Sequence, residues 1–180
     1  MPSSTFSSEL RAAARLLVVS MLLGGIYAGV LRLGILRPSR GQDQWQANLI
    51  QAEEYLYEPK SWNAVLTGSS MTTRLAATLP ADYFVLAFAS GNAMTGLELI
   101  RQTGPRMRVL FVEANYSLKS RVDEALLGRL LHPVRDPLKA RLPVLREKNQ
   151  PLGILGEYLV PVVFPAEAKP CHGWAVLDEQ

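Results

Sequence analysis

Three short clusters of small and polar residues carry the side chains in this chain that suit chemistry. They are Gly68-Ser69-Ser70, Ser90-Gly91-Asn92 and Glu113-Ala114-Asn115. Ser70 supplies a hydroxyl nucleophile, Gly91 a peptide N–H that no side chain shields, and Asn115 a carboxamide donor. A hydroxyl beside N–H donors that point at one oxyanion is the arrangement that acyl transfer needs. The clusters therefore predict a nucleophilic serine site, provided that the fold brings them together.

Each cluster follows a short apolar run that is typical of a buried β-strand. These runs cover residues 64–67, 83–89 and 108–112. Helical patterns cover residues 44–57, 72–78, 95–102 and 120–131. Strands that alternate with helices predict parallel βαβ units, in which helices cover both faces of the sheet. Because the loops at the carboxyl ends of parallel strands meet at one edge, we expect the three clusters to converge there.

Beyond residue 131 the pattern is less regular, because four prolines interrupt it. These are Pro133, Pro137, Pro143 and Pro151. Residues 139–148 form a short basic amphipathic segment, which fits either anionic lipid headgroups or a solvated helix face. Its acidic neighbours favour the solvated face. Residues 152–164 are apolar enough for a further strand or a helix pair.

The N-terminal region contains a long apolar run. Residues 16–31 carry no charge between Arg15 and Arg32, and the run extends over residues 12–36. A helix of about 20 residues crosses a bilayer, and arginines near its ends can reach the headgroups. The sequence predicts one membrane span, an uncleaved anchor in preference to a cleaved signal peptide. Gly25 and Gly29 form a G-x-x-x-G pair, which is only weak support for helix pairing.

Composition fits one folded domain behind this anchor. Of 180 residues, 48% are hydrophobic and 19% charged, which excludes a disordered or collagen-like chain. We expect an N-terminal tail and anchor over residues 1–36, a linker over 37–48 and an α/β domain over 49–180. The net charge of +3 arises in the first 40 residues, which hold five arginines and one acid. The remainder is nearly neutral, so a nucleic-acid partner is not indicated.

Metal and cofactor chemistry are not indicated either. The single cysteine, Cys171, excludes an internal disulfide and a cysteine cluster. His132 and His172 are far apart in sequence and have no neighbours at ligand spacing. We expect no metal and no organic cofactor, and we interpret Cys171 as an inert thiol.

The three clusters, in this order on successive strand ends, resemble the sequence blocks of the SGNH/GDSL hydrolases and their acyltransferase-like relatives. The family's Gly-Asp-Ser block is similar to residues 68–70, with Ser69 in place of the acid. Its second-block glycine matches Gly91, and its Gly-x-Asn block keeps Asn115 but has Glu113 in place of glycine. The resemblance covers about residues 62–118. It implies a three-layer α/β/α, flavodoxin-like fold with Ser70 as nucleophile.

The resemblance also implies that the N–H groups of Ser70 and Gly91 and the Asn115 carboxamide hold the oxyanion. The family's last block, Asp-x-x-His, is incomplete in this chain. His172 matches its histidine, but Lys169 stands where the acid belongs. Other candidates, namely Asp136, Asp178 and His132, do not have the expected spacing. Three alternatives stay open: an active enzyme with His172 as base, an inactive member that keeps the fold, or a fragment that ends before its base.

Each candidate residue also has a plain structural explanation. Ser70 could be a helix N-cap, Gly91 could serve a tight turn, and His172 could be a surface residue of a C-terminal tail. Asn115 could be a turn residue, and Asn115-Tyr116-Ser117 spells a glycosylation sequon.

The resemblance implies a membrane-anchored serine esterase or O-acyltransferase-like protein that acts on ester-linked acyl groups. The expected substrate is an acylated carbohydrate, such as an envelope polysaccharide, or a small ester. We expect a single-pass protein of the cytoplasmic membrane with its domain on the periplasmic or extracellular side, although the flanking arginines weakly favour the cytoplasmic side. The alternative is an inactive binding or assembly module, and the oligomeric state stays open.

Overall fold

The computed structural model describes residues 4–114 and 121–163, with the side chains of residues 9–114 and 121–159. The chain divides into two compact units, residues 1–38 and residues 39–180. The described part of the first unit contains helix α1 (Ser4–Arg32). The strands of the second unit are β1 (Trp62–Gly68), β2 (Tyr83–Ala87) and β3 (Met107–Val112). Its α-helices are α2 (Gln44–Tyr57), α3 (Ser70–Thr73), α4 (Ala93–Thr103), α5 (Glu124–Leu130), α6 (Arg135–Arg141) and α7 (Pro151–Val163).

Helix α1 is long and apolar enough to cross a membrane. Within its segment Glu9–Arg32, an 18-residue apolar window has a mean hydropathy of 1.9, and none of this window is buried. With about 1.5 Å per residue, the segment is about 36 Å long, against a hydrocarbon thickness of about 30 Å. Helix α1 ends at Arg32, four residues before the end of the expected span over residues 12–36, because a glycine cap follows it. Gly34 adopts φ 68°, and the N–H groups of Gly34 and Ile35 bond to the carbonyls of Leu31 and Val30.

The sheet of the second unit is parallel, with strand order β2-β1-β3. In its register Gly68 lies opposite Ala87, and Thr67 lies opposite Val112. The carboxyl ends of the three strands are therefore level, as the sequence predicted. An α/β unit with a parallel sheet is confirmed, and helix α2 covers the residues 44–57 that the sequence predicted.

One face of this sheet packs against α2 and α4, and α5 packs against these two helices. The core joins side chains of these helices to Val65 and Leu86, which lie on the same face. Thr67 Oγ1 donates to the carbonyl of Ala93, 3.1 Å away, at the start of α4. Gly96 of α4 lies against Thr67, where a Cβ would overlap the hydroxyl. This close approach fixes the start of α4 and the turn that precedes it.

Strand β3 is exposed on both faces within the described chain. Val109, Leu110, Phe111 and Val112 are between 37% and 50% exposed, although successive residues of a strand alternate between its faces. Among the described residues, helices therefore do not cover both faces of β3, and the predicted cover of both faces stays a prediction for this strand. Helix α4 packs against β1 and β2, whereas no helix of the described chain makes comparable contact with β3.

The connection between β1 and β2 contains less helix than predicted. Instead of one helix over residues 72–78, α3 ends at Thr73 and a 3-10 turn covers Ala76–Thr78. The N–H groups of Arg74 and Leu75 donate to the carbonyls of Met71 and Thr72, three residues earlier. This 3-10 hydrogen-bond pattern ends the α-helix.

The segments after α5 also differ from the sequence prediction. Residues 139–148 do not form one amphipathic helix, because α6 ends at Arg141 and Pro143 follows without an N–H donor. Two 3-10 turns then cover Pro143–Leu145 and Glu147–Asn149. Helix α7 is one continuous helix rather than a strand or a helix pair.

A buried ionic cluster attaches these segments to α2. Glu53 of α2 and Glu147 are both buried, and Lys139 Nζ contacts both carboxylates. The N–H of Glu147 also donates to Glu53 Oε2 at 2.6 Å. Lys148 pairs with Glu54 at 3.0 Å. Lys139 and Lys148 are therefore paired with carboxylates rather than lying on a solvated face, which corrects the sequence prediction for these two residues, whereas Arg141 is exposed.

Candidate functional site

The turn after β1 presents Ser70 at the carboxyl edge of the sheet. Ser69 is the N-cap of α3, and its Oγ accepts a hydrogen bond from the N–H of Met71 at 3.3 Å. Ser70 is the first residue of the helix and is exposed. Its hydroxyl has no hydrogen-bond partner among the described residues. The capping role that Ser70 could have had is thus filled by Ser69, and the Ser70 hydroxyl is accessible.

Glu113, which directly follows β3, binds the same turn. Its carboxylate accepts hydrogen bonds from the N–H of Ser69 at 2.7 Å, from Ser69 Oγ at 2.9 Å and from Thr72 Oγ1 at 2.6 Å. The contact joins the end of β3 to the turn after β1. The turn that carries Ser70 is therefore held by a charged acceptor from the neighbouring strand.

The environment of Glu113 favours its ionised form. Partial burial alone raises the pKa of a carboxyl group, but the hydrogen bonds from Thr72 and Ser69 outweigh it. The pKa of Glu113 is consequently lowered from its ordinary value of 4.5. A carboxylate with a lowered pKa is a poor proton acceptor at neutral pH, so its chemistry fits a positioning role rather than that of a general base.

Gly68 is required by this arrangement. A Cβ at Gly68 would overlap Thr72 Oγ1 and Glu113 Oε2, and would lie 2.7 Å from Thr72 Cβ. The small residue therefore leaves room for the carboxylate over the end of β1. This gives the glycine of the first cluster a structural reason that is independent of any family resemblance.

The turn after β2 is held in a different way. Ser90 adopts φ 56°, a left-handed conformation that is uncommon for a residue with a side chain. The N–H of Gly91 donates to the carbonyl of Phe88 at 2.9 Å. A Cβ at Gly91 would lie 2.6 Å from Phe88 Cβ. Gly91 thus serves a tight turn, and its N–H, which the sequence analysis assigned to an oxyanion, is engaged within that turn.

Two buried asparagines fix this second turn. Asn48 of α2 donates to the carbonyl of Ala89 at 3.0 Å and accepts from the N–H of Ala89 at 2.9 Å. Asn92 caps α4, where its Oδ1 accepts from the N–H of Thr95 at 3.1 Å. The Asn92 amide also donates to the carbonyl of Arg121 at 2.8 Å. All these contacts involve neutral groups.

A cleft of about 570 Å³ opens beside the second turn. It lies between the residues at the start of α2, the turn after β2 and the residues at the start of α5. Its lining includes Trp45, Ser90, Gly91 and Asp123, but not Ser70. The structure therefore places Gly91 in this cleft and Ser70 on the neighbouring turn, at the ends of adjacent strands.

Two of the four predicted site residues, Asn115 and His172, lie outside the described residues, as do Cys171 and Asp178. Of the alternative groups, His132 is occupied elsewhere, because its Nδ1 accepts from the N–H groups of Val134 and Arg135. Asp136 accepts from the hydroxyl of Tyr57 at 2.7 Å. Burial and this hydrogen bond both raise the pKa of Tyr57.

The sequence analysis missed Glu113 and Asn48 as residues that position the site. Glu113 could have been identified from the sequence, because it directly follows the predicted strand 108–112 while the hydroxyl residues Ser69 and Ser70 follow the predicted strand 64–67. Asn48 was marked by being a polar residue among the apolar positions of helix 44–57. No group of three or more histidine, cysteine or acidic side chains within residues 4–114 and 121–163 is arranged to hold a metal ion.

Comparison of the chain with protein-family models, with curated proteins and with solved structures found no match.

Proposed function

We propose that this chain is a membrane-anchored serine esterase or O-acyltransferase-like protein, with Ser70 as its nucleophile. The proposal is carried by one observation: Ser69 caps α3, and the exposed Ser70 hydroxyl at the end of the central strand has no hydrogen-bond partner within the described part of the chain. A serine at a turn from strand to helix is where such enzymes place a nucleophile. The strand order β2-β1-β3 is also the order in which flavodoxin-like sheets begin, and it supports the three-layer arrangement that the resemblance implies.

In the proposed reaction, Ser70 Oγ attacks the carbonyl carbon of an ester while a base takes the hydroxyl proton. The tetrahedral intermediate expels the alcohol, which regains a proton, and the acyl group stays on Ser70. Water or an acceptor alcohol then removes it. The N–H of Ser70, in the first turn of α3, has no acceptor within the helix and is suited to hold the oxyanion. Asn115 and His172 keep their proposed roles as second donor and base.

Gly91 has a changed role in this proposal. Because its N–H is bonded to Phe88, it contributes through the shape of the turn beside the cleft rather than as an oxyanion donor. The cleft then suits the alcohol or carbohydrate part of the substrate. Acyl groups on an envelope polysaccharide are the proposed substrate, as the family resemblance implies.

Labelling with a fluorophosphonate probe tests the nucleophile. The full chain in membranes should take the probe, Ser70→Ala should abolish labelling, and Ser61→Ala should label like the unmodified protein. Ser61 is a matched control because it is also exposed and precedes β1 at its opposite end. Equal labelling of the unmodified protein and both variants, or no labelling of a folded protein, would rule out Ser70 as a reactive nucleophile.

A second candidate is an inactive binding or assembly module. The observation that favours it is that Ser70 does not line the cleft. The lining instead combines Trp45 with the side chains of Gln44 and Asp123, which suit the binding of a polar ligand. A folded protein that takes no probe, but loses glycan binding on Trp45→Ala, would support this function over catalysis.

We place the globular unit on the outer side of the cytoplasmic membrane, with α1 as its single span. An alkaline phosphatase fusion at the C-terminus is expected to be active, because this reporter folds only after export. An inactive fusion in cells where a cytoplasmic reporter at the same position is active would contradict this placement.

A further inference from the structure

Helix α7 exposes an apolar face. Leu152, Leu155 and Leu159 are 78%, 51% and 48% exposed, and their spacing of three and four residues places them on one side of the helix. Gly153 and Ile154 lie on the other side and are buried. The described side chains of α7 include only one charged group, Glu157. A helix with one side buried against protein and an exposed apolar side is suited to a boundary between the protein and an apolar phase.

The buried side of α7 is attached to the first residues of the globular unit. The N–H of Arg40 donates to Glu157 Oε1 at 3.0 Å, and Gln42 Nε2 donates to the carbonyl of Leu152 at 3.4 Å. Gly153 packs against Ser39, where a Cβ would lie 3.2 Å from Ser39 Cβ. Residues 39–42 therefore hold α7 directly at the point where the chain enters this unit.

Chain length limits how far this point can be from α1. Ser39 follows Arg32, the last residue of α1, by seven positions. An extended chain spans at most about 3.5 Å per residue, so Ser39 stays within about 25 Å of Arg32 in every arrangement of the two units. If α1 crosses a bilayer, this limit keeps Ser39, which packs against the start of α7, within about 25 Å of the end of the membrane helix.

We propose that α7 lies along the membrane surface, with Leu152, Leu155 and Leu159 in contact with lipid acyl chains. The inference rests on the proposed membrane anchoring by α1 and extends it to a second, peripheral contact. Tyr158, which is exposed on the same helix, has the amphipathic ring that favours the headgroup level. The exposed Arg40 beside α7 adds attraction to anionic headgroups. The contact keeps one side of the globular unit against the lipid.

Fluorescence quenching by labelled lipids tests the contact. In the full chain with Cys171→Ser, single cysteines replace Leu155 or Leu159 and carry an environment-sensitive NBD dye. The proteins are reconstituted in vesicles of phosphatidylcholine and phosphatidylglycerol that contain doxyl-labelled lipid. The matched control is Leu75→Cys, since Leu75 is an exposed leucine (48%) on the connection between β1 and β2. A Leu22→Cys label in α1 reports the anchor itself.

We expect doxyl lipid to quench the dyes at 155 and 159 roughly twofold or more relative to the dye at 75, with a blue-shifted emission. Removal of phosphatidylglycerol should weaken this difference. Equal quenching at 75, 155 and 159, or none at 155 and 159 while the dye at 22 is quenched, would overturn the proposal and leave the anchor intact. A blue shift without quenching would show that protein covers α7 instead. Absence of quenching at 22 would remove the anchoring on which the proposal rests.

Discussion

The turns after β1 and β2 lie side by side at the same edge of the sheet, yet different kinds of contact hold them. The turn after β1, which carries Ser70, is bound by the carboxylate of Glu113. The turn after β2, which carries Gly91, is bound by the buried amide of Asn48. One contact is charged and titratable and comes from the neighbouring strand, whereas the other is neutral and comes from a helix.

Because of this difference, we expect the two turns to respond differently to pH and to substitution. The carboxylate of Glu113 is partly accessible, so protonation or a single substitution can loosen the turn that carries the proposed nucleophile. The amide of Asn48 lies in the core and does not titrate. The turn after β2 should therefore lose its conformation only when α2 no longer packs against the sheet. Two neighbouring loops can thus share one edge of a sheet while only one of them responds to pH.

The largest effect is expected from Asn48→Ala. The substitution leaves the buried N–H and carbonyl of Ala89 without partners, which should lower the free energy of unfolding by about 3 kcal/mol. Urea denaturation of the full chain in detergent micelles measures this change. Asn63→Ala, which removes an exposed amide on β1, should change stability little. Equal losses for the two variants would contradict the anchoring role of Asn48.

Glu113→Gln should have the next largest effect. The glutamine lacks the negative charge and turns an amide group toward donors, so we expect a loss of about 2 kcal/mol. The control is Glu124→Gln, an exposed acid in the first turn of α5, for which a few tenths of a kcal/mol are expected. Glu113→Gln should also slow fluorophosphonate labelling of Ser70, whereas Glu124→Gln should not. Unchanged stability and unchanged labelling would show that Glu113 does not hold the turn.

Acid should remove the contribution of Glu113 but not that of Asn48. The folded-state pKa of Glu113 is lowered from 4.5, so its ionised form stabilises the fold above that pH. This stabilisation is lost as the pH falls through the folded-state value. The difference in unfolding free energy between the unmodified protein and Glu113→Gln should therefore be constant near neutral pH and shrink below 4.5. The corresponding difference for Asn48→Ala should persist, and a parallel decline of both would contradict the distinction.

The smallest effect is expected from Ser90→Asn. Ser90 adopts φ 56°, and asparagine tolerates this left-handed conformation better than serine. The hydrogen bond from Ser90 Oγ to Gln44 is exposed and contributes little. We expect a gain of about 0.5 kcal/mol in thermal or urea unfolding. Ser61→Asn is the control, and an equal gain there would show that the backbone conformation is not the cause.

The sequence predicted much of this fold because its signals are local. Apolar runs and small polar clusters located all three strands, and the spacing of apolar residues in 44–57 located α2. The exposure of β3 was not predictable in this way. Residues 109–112 are uniformly apolar, and only the strand order shows that they form an edge of the described sheet.

The candidate site was less predictable, because its contacts join residues that are distant in sequence. The three clusters indicated that Ser70 and Gly91 would lie at one edge, and both are at the carboxyl ends of adjacent strands. The pairing of Glu113 with Ser69 spans 44 positions and depends on β3 lying beside β1. Local patterns also gave no sign that the N–H of Gly91 would be used within its own turn.

The most direct test of the central claim is to map the fluorophosphonate adduct on the full chain by mass spectrometry. The account predicts an adduct on Ser70, with no adduct on Ser69 or Ser90. It further predicts that the adduct is absent from Ser70→Ala and forms more slowly on Glu113→Gln. An adduct on another residue, or a correctly folded protein without any adduct, would contradict the assignment of Ser70 as the nucleophile.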